Sequence, residues 1–253
     1  MWRQDPDAAQ VACAQLALGR PDEALKLSDE ALRRSRDFKE PVNLAWVITL
    51  AAIVRGWRRE PEAVLALAEA EIALAEEHGL RDRLAEGRLF RAWAMAELGH
   101  TEQQPVGLEE VVTGATGTSL FRVEMLLNAY LNIGRTDLAL DKLSEELAKV
   151  ERTGDHLGES ELHRLRGEVV LAGDPSATPE AETSFRRAIE VARNQWAKWW
   201  ELRATTGLAR LLANRGKRDE ARGMLEEIYD RFTEGFDTTD LKDAGTLLDQ
   251  LNQ

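Results

Sequence analysis

Apolar and polar residues follow one another along this chain in blocks of helical length, and the same short signal separates several of the blocks. In four places an apolar block ends in glycine, a polar turn follows, and an amphipathic block begins. The four signals are Gly19-Arg-Pro-Asp-Glu-Ala24, Gly99-His-Thr-Glu-Gln-Gln104, Gly134-Arg-Thr-Asp-Leu-Ala139 and Gly216-Lys-Arg-Asp-Glu-Ala221. Glycine suits a helix end because it adopts a left-handed backbone without a side-chain clash. Each signal predicts a helical hairpin.

Two more hairpins keep the pattern without the glycine, at 58–63 and in a longer loop over 173–181. From Ala24 to Ala221 the chain runs 197 residues in five repeat steps, which gives a period of about 39 residues against about 34 for a tetratricopeptide unit. In such arrays each repeat buries its apolar face on its neighbours. The period therefore indicates a helical repeat protein with slightly long units.

The second helix of each hairpin carries a stripe that can pack against a neighbour. Marker alanines open this stripe, and a second stripe residue follows each of them four positions later on the same helix face. The pairs are Ala24 and Ser28, Ala63 and Leu67, Ala139 and Leu143, Ala181 and Phe185, and Ala221 and Leu225. These alternating small and large groups favour ridge-into-groove packing.

The pattern predicts an all-α fold with thirteen helices and no strand, arranged as a single right-handed, tetratricopeptide-like solenoid over residues 1–253. The six hairpins are expected at 6–36, 41–78, 82–113, 119–152, 158–195 and 198–232. A last helix at 239–251 is expected to cover one end of the stack, as a solenoid requires. Residues 1–5 offer no such cover, so we expect further chain or a second copy at the other end.

Charge and cysteine content narrow the class of protein. The net charge is -12, which would repel a phosphate backbone and makes nucleic acid a poor partner. Cys13 is the only cysteine, so no internal disulfide can form and a reducing cytoplasm is expected. The sequence shows no export signal and no apolar run long enough to span a membrane. We therefore expect a cytoplasmic protein without membrane contact.

The residues suited to chemistry do not form a convincing active site. The glycine-rich turn at 114–119 lacks the lysine of a phosphate-binding loop. His156, Glu159 and His163 have spacing that could bring ligands together, but no HExxH motif or cysteine set supports a metal. Cys13 lies in an apolar helix without an evident acid–base partner. The sequence predicts no catalytic, cofactor-binding or metal-binding residue, and hence no enzyme.

Seven tryptophans are unusual for this length, and three of them fall at Trp196, Trp199 and Trp200. They can fill the junction between the fifth and sixth hairpins, or one of them can anchor a partner as interface hot spots do. Trp200 is expected in the core. Trp196 or Trp199 is the candidate for exposure.

The first helices of tetratricopeptide hairpins line a concave groove, and the repeat register places ten residues there. They are Ile48, Arg55, Leu89, Trp93, Glu124, Asn128, Arg164, Glu168, Arg203 and Arg210. The charged members can grip a carboxylate or another acidic group of a partner. They can equally form an ion-pair ladder that fixes the register of the repeats, and the sequence leaves both alternatives open.

Motifs of the last third of the chain resemble a known family. They are the stretches at 161–168, 181–192, Trp200-Glu-Leu-Arg203, 209–211, and Phe232-Thr-Glu-Gly-Phe-Asp237 with Asp240-Leu241. They resemble the C-terminal tetratricopeptide region of large bacterial signalling proteins, and Gln4-Asp-Pro6 resembles the start of that region. Those proteins carry a class III adenylate or guanylate cyclase domain or a DNA-binding domain, followed by an AAA-type ATPase domain. The segment Gln104-Pro105-Val-Gly107 departs from the helical pattern.

The resemblance implies a regulatory module, because the catalytic domains of that family precede the repeats. We expect a non-catalytic scaffold that binds a protein or peptide segment, with upstream ATPase or cyclase domains or a second copy as candidates. The alternative is the small-molecule-sensing domain of a large ATP-dependent transcriptional regulator. Neither expectation includes a cofactor.

Overall fold

The fold is known from a computed structural model, which describes residues 4–38, 40–100, 120–132 and 134–253. These ranges contain twelve α-helices and no strand, which confirms the all-α prediction for the part of the chain described. The helices are α1 (Gln4–Ala17), α2 (Pro21–Phe38), α3 (Pro41–Trp57), α4 (Pro61–His78), α5 (Arg81–Glu97), α6 (Leu120–Asn132), α7 (Thr136–Thr153), α8 (Glu159–Gly173), α9 (Thr178–Asn194), α10 (Lys198–Asn214), α11 (Arg218–Tyr229) and α12 (Thr239–Leu251). The helix expected at 102–113 and the turn at 114–119 lie outside the described residues.

Turn chemistry explains where the hairpins close. The four signal glycines have positive φ angles between 71° and 81°, as the sequence predicts. After Gly19, the amide of Arg20 donates to the carbonyl of Gln15 over 2.9 Å, which caps the helix end. Proline opens α2, α3 and α4, where a missing N–H costs no helical hydrogen bond.

The chain divides into two compact units, and each is described by itself. The first holds most of α1, then α2–α5 and the start of α6 through Met125; the second holds the remainder of α6 and α7–α12, together with Ala17–Gly19. Within each unit, helices that follow one another pack in pairs. In the second unit α10 also contacts α8 and α12. That the whole chain forms one continuous solenoid stays a prediction.

The stripe of the second helices is buried as expected in most hairpins. Ala24, Ala139, Ala181 and Ala221 are all fully buried. Phe185 lies on α9 and packs against two glycines on the neighbouring helices, Gly167 of α8 and Gly207 of α10. The absence of side chains at these glycines lets the three helices approach closely.

One stripe was predicted one residue too early. In α4 the buried positions are Val64, Ala68 and Glu71, whereas the predicted Ala63 and Leu67 are only half-buried. The cause is the preceding turn, because its left-handed residue is Arg59 with a φ of 59°. The buried residue follows five positions after it, just as Ala24 follows Gly19. The turn geometry, not the alanine, therefore sets the register.

Candidate functional site

The ten predicted groove residues fall into three different environments. In the first unit Ile48 and Leu89 are buried in the apolar core. Trp93 is half-buried and lies edge-on to Phe121, with ring centroids 5.3 Å apart. Arg55 is half-buried and donates to Asp29 and Glu60, each over 2.9 Å. Of these four, the two apolar residues are closed to solvent and Arg55 is paired with acids of the same unit.

The remaining six divide between half-buried, buried and exposed positions. Glu124 and Asn128 are half-buried on α6. Arg164 is buried, and its guanidinium binds Glu168. The guanidinium of Arg203 pairs with an acid of α8. Arg210 is exposed, and one of its nitrogens lies 3.8 Å from Asp243.

A buried ion-pair ladder connects two first helices of the second unit, α8 and α10, with the last helix, α12. Glu161 of α8 is fully buried and accepts from Arg164 over 2.9 Å and from Arg203 of α10 over 2.8 Å. Arg203 extends further to Asp240 of α12 over 3.7 Å and stacks 5.8 Å from the centre of the Trp200 ring. This geometry favours the ladder over the partner-gripping wall, because two arginines share one carboxylate inside the protein.

A second set of ion pairs fixes the turn that follows α9. Glu201 is buried on α10, where Arg193 donates to it over 2.6 Å and Arg231 over 2.8 Å. Next to these pairs, the rings of Trp199 and Phe232 meet edge-on at 6.1 Å. The chain segments that enter α10 and leave α11 are thus held side by side.

Trp196 is the tryptophan that faces solvent. It is 74% exposed, whereas Trp199 and Trp200 are buried, so Trp196 and not Trp199 is the exposed candidate. Its φ angle is 57°, in the left-handed region that seven other turns reach with glycine. For a residue with a side chain, this conformation costs about 1–2 kcal/mol relative to the right-handed one. The angle lets the amide of Ala197 donate to the carbonyl of Ala192 over 2.9 Å and so caps α9, but a large exposed side chain is not needed for this turn.

Two more exposed apolar residues lie at the same end of the second unit. Leu157 in the α7–α8 turn is 82% exposed, and Phe236 in the α11–α12 turn is 48% exposed. Helices that alternate in direction place these turns at one end of the hairpins. Gln195 donates to the carbonyl of His156 over 2.6 Å and so ties the first two turns together. We call Leu157, Trp196 and Phe236 the apolar edge.

The opposite end of the same hairpins carries polar turns. The α8–α9 turn contains Asp174 and Ser176, and the α10–α11 turn contains Arg215, Gly216 and Lys217. The side chain of Asp174 accepts from the amide and hydroxyl of Ser176, over 2.8 and 2.7 Å. The two ends of the second unit therefore differ in character, and one of them presents large apolar groups to solvent. The sequence singled out only Trp196 of this edge.

The first unit contains a buried polar cluster that the sequence analysis missed. It consists of Thr49, Glu71, Arg83, Glu86 and Arg122, from α3, α4, α5 and α6. Arg83 also stacks over the ring of Trp46 at 5.2 Å. The turn-derived register could have shown that Glu71 occupies a core position, seven residues after Val64.

The groups considered for chemistry are engaged in other ways. Burial raises the pKa of the Cys13 thiol to about 12, so the thiol stays protonated. Glu159 lies 2.8 Å from His156 and 3.7 Å from His163, but Arg187 also approaches it, at 3.1 Å. Across the described ranges no three His, Cys, Asp or Glu side chains are grouped to hold a metal ion.

A shallow depression lies between the ends of α10, α11 and α12. Its volume is about 410 Å³. Arg210, Asn214, Arg218, Asp243 and Gln250 supply polar groups, with Asp243 3.8 Å from Arg210, and Leu247 and Leu251 supply apolar ones. Arg218 donates to the backbone carbonyl of Gln250. Two guanidinium groups at one concave surface can attract an anion.

Comparison with known proteins adds no identity. No protein-family model matches this chain, and no curated protein matches it. None of the described helices is long and apolar enough to cross a bilayer. The geometry itself defines an all-helical protein whose consecutive helices pack in pairs.

Proposed function

We propose that this chain is a tetratricopeptide-like solenoid that works as a non-catalytic protein-binding scaffold, with the apolar edge as its binding surface. Trp196 carries the proposal. It is a large aromatic side chain at 74% exposure on a left-handed backbone. Strained conformations of this kind concentrate at functional positions, where the surrounding structure over-determines them.

The edge has the composition of an interface centre. Tryptophan is among the residues most enriched at hot spots. Leu157 and Phe236 extend the apolar surface on either side, one from each neighbouring turn. Ion pairs from Arg193 and Arg231 to the buried Glu201 hold the central turn in place. A surface fixed in this way loses little conformational freedom when a partner binds.

The partner that we propose is a protein or peptide segment. The resemblance to the repeat region of bacterial signalling proteins suggests the ATPase or cyclase domains of such a protein, joined to this chain or working beside it. Self-association is the other candidate. A non-catalytic role agrees with the protonated state of Cys13 and with the engagement of Glu159 by Arg187.

The test compares two substitutions that relieve the same backbone strain. Trp196→Gly and Arg59→Gly both replace a side-chain residue at positive φ by glycine. Each should leave the free energy of unfolding unchanged or raise it by up to about 1 kcal/mol, because the relieved strain exceeds the entropy that glycine gains in the unfolded chain. Only Trp196→Gly removes an exposed aromatic side chain.

Binding is read in two ways. Immobilised wild-type protein is exposed to native cell extract and to purified cyclase or ATPase domains, and sedimentation measures self-association. We expect Trp196→Gly to lose most of the binding or self-association while Arg59→Gly keeps it. Equal binding by both variants, or no association by the wild type in either assay, contradicts the proposal.

The depression beside Arg210 and Arg218 favours a second candidate, a small-molecule-sensing role with an anionic ligand. The measurement is thermal stabilisation of the wild type by a panel of carboxylate metabolites, with Arg218→Gln as the variant. A ligand of this site should raise the melting temperature of the wild type alone. If no compound stabilises the wild type, the sensing role is rejected.

A further inference from the structure

The buried cluster of the first unit distributes its charges unequally between two carboxylates. Glu86 lies 2.7 Å from Arg122 and 2.8 Å from Arg83, so it forms an ion pair with each guanidinium group. Glu71 is fully buried, and the contact recorded for its Oε1 is the hydroxyl of Thr49. Its Oε2 has no hydrogen-bond partner among the described residues. A carboxylate buried without an adjacent cation is strongly disfavoured relative to the neutral acid.

Hydrogen-bond accounting at Thr49 is compatible with the neutral acid. Its hydroxyl has one proton to donate. The oxygen lies 3.1 Å from the carbonyl of Ala45, which can only accept, and 2.7 Å from Oε1 of Glu71. It also receives an N–H from Arg83 over 3.0 Å. If Thr49 donates to Ala45, the contact with Glu71 requires a proton on the carboxyl group.

We infer that the carboxyl group of Glu71 is a proton-binding site that holds α4 against α3 and α5, and that release of the proton loosens this joint. With the proton in place, Glu71 donates to Thr49 and Thr49 donates to Ala45. Without it, the carboxylate must draw the hydroxyl proton away from the carbonyl of Ala45. The joint then holds a buried carboxylate with no arginine at hydrogen-bond distance from its own oxygens.

The charges around Glu71 come from two helices. Glu86 and Arg83 face it from α5, and Arg122 faces it from α6, while α3 contributes the hydroxyl of Thr49. Both arginines already contact Glu86. The repulsion from Glu86 therefore adds to the effect of burial, whereas the hydrogen bond with Thr49 and the attraction of the two arginines lower the pKa of Glu71 and offset only part of the rise. Burial is the main cause, and it raises the pKa of Glu71 to about 8.

The sign of the pH effect follows from where the proton is bound. The pKa of Glu71 is about 8 in the folded chain, against an ordinary value of 4.5. Between these values the folded chain keeps a proton that the unfolded chain releases. Stability is complete below the lower value and falls as the pH rises towards the upper one. Within that window the unfolding constant should rise roughly tenfold for each pH unit.

Glu71→Gln is the test variant because its amide can donate to Thr49 as the neutral acid does. Urea unfolding of the full chain is measured for both proteins between pH 6 and pH 9. The ratio of the wild-type unfolding constant to that of Glu71→Gln should rise roughly tenfold per unit up to about pH 8 and then level off. The matched control is Glu201→Gln, which is equally buried but accepts from two arginines. Glu201→Gln should be less stable than the wild type at every pH, and its unfolding constant should change with pH as that of the wild type does.

Two further measurements test the inference on the folded protein, without denaturant. Infrared spectra of the folded wild type should show a protonated carboxylic acid band at pH 7 that disappears by pH 9 and is absent from Glu71→Gln. Hydrogen exchange at pH 9 should be faster in α3, α4 and α5 of the wild type than of Glu71→Gln, with equal rates in α8–α12. Parallel unfolding profiles, a missing acid band, or equal exchange in α4 would each overturn the inference.

Discussion

The packing of Phe185 against two helix glycines gives a prediction whose magnitude can be worked out from the structure. Gly207 lies inside α10, and a Cβ atom added there would fall 2.7 Å from Cε1 and 3.1 Å from Cζ of the Phe185 ring. The same ring also packs closely on Gly167 of α8, where an added Cβ would lie 2.9 Å from Cζ, so it has little room to move. Gly207→Ala must therefore strain the contact between α9 and α10.

Gly223 provides the matched control. It lies inside α11, and a Cβ added there meets nothing within 4 Å. Replacing an open helical glycine by alanine stabilises a helix by about 1 kcal/mol. Over-packing a filled core costs about 1–3 kcal/mol. We expect Gly223→Ala to be more stable than the wild type by up to about 1 kcal/mol, and Gly207→Ala to be less stable by up to about 2 kcal/mol.

The assay is urea unfolding followed by far-ultraviolet circular dichroism. The midpoints of the two variants should move in opposite directions at similar slopes. Adding Phe185→Leu to Gly207→Ala should recover part of the loss, because the smaller side chain makes room for the methyl group. The reasoning is refuted if Gly207→Ala is as stable as Gly223→Ala, or if Phe185→Leu costs the same in both backgrounds.

Two further predictions concern groups named in the sequence analysis. Arg203→Ala should lower the free energy of unfolding by about 1.5–3 kcal/mol, because it removes one of the two arginines that donate to the buried Glu161. Arg210→Ala should change it by less than about 0.5 kcal/mol, because Arg210 is exposed, and equal unfolding curves would contradict the ladder. The Cys13 thiol, whose pKa is raised to about 12, should react with a thiol reagent at pH 8 at least roughly a hundredfold more slowly in the folded chain than in urea. Comparable rates would contradict its burial.

Part of the candidate site could be predicted from the sequence. The tryptophan run identified Trp196 as a possible exposed anchor, but it gave Trp199 equal standing. Burial separates the two, because Trp199 packs on Phe232, which lies 33 positions further along the sequence. Leu157 and Phe236 carried no signal, since an isolated apolar residue in a turn is common. Only the alternating direction of the helices puts them at the same end of the hairpins as Trp196.

The sequence by itself determined the helices and most of their turns, because helix periodicity, proline at helix starts and glycine at helix ends act over a few residues. The tertiary structure decided which groups meet. Arg59 displaced the stripe of α4 by one position and placed Glu71 in the core. Arg203 joined Glu161 across 42 residues. Burial and charge pairing depend on contacts between distant helices, and these contacts are not contained in any local pattern.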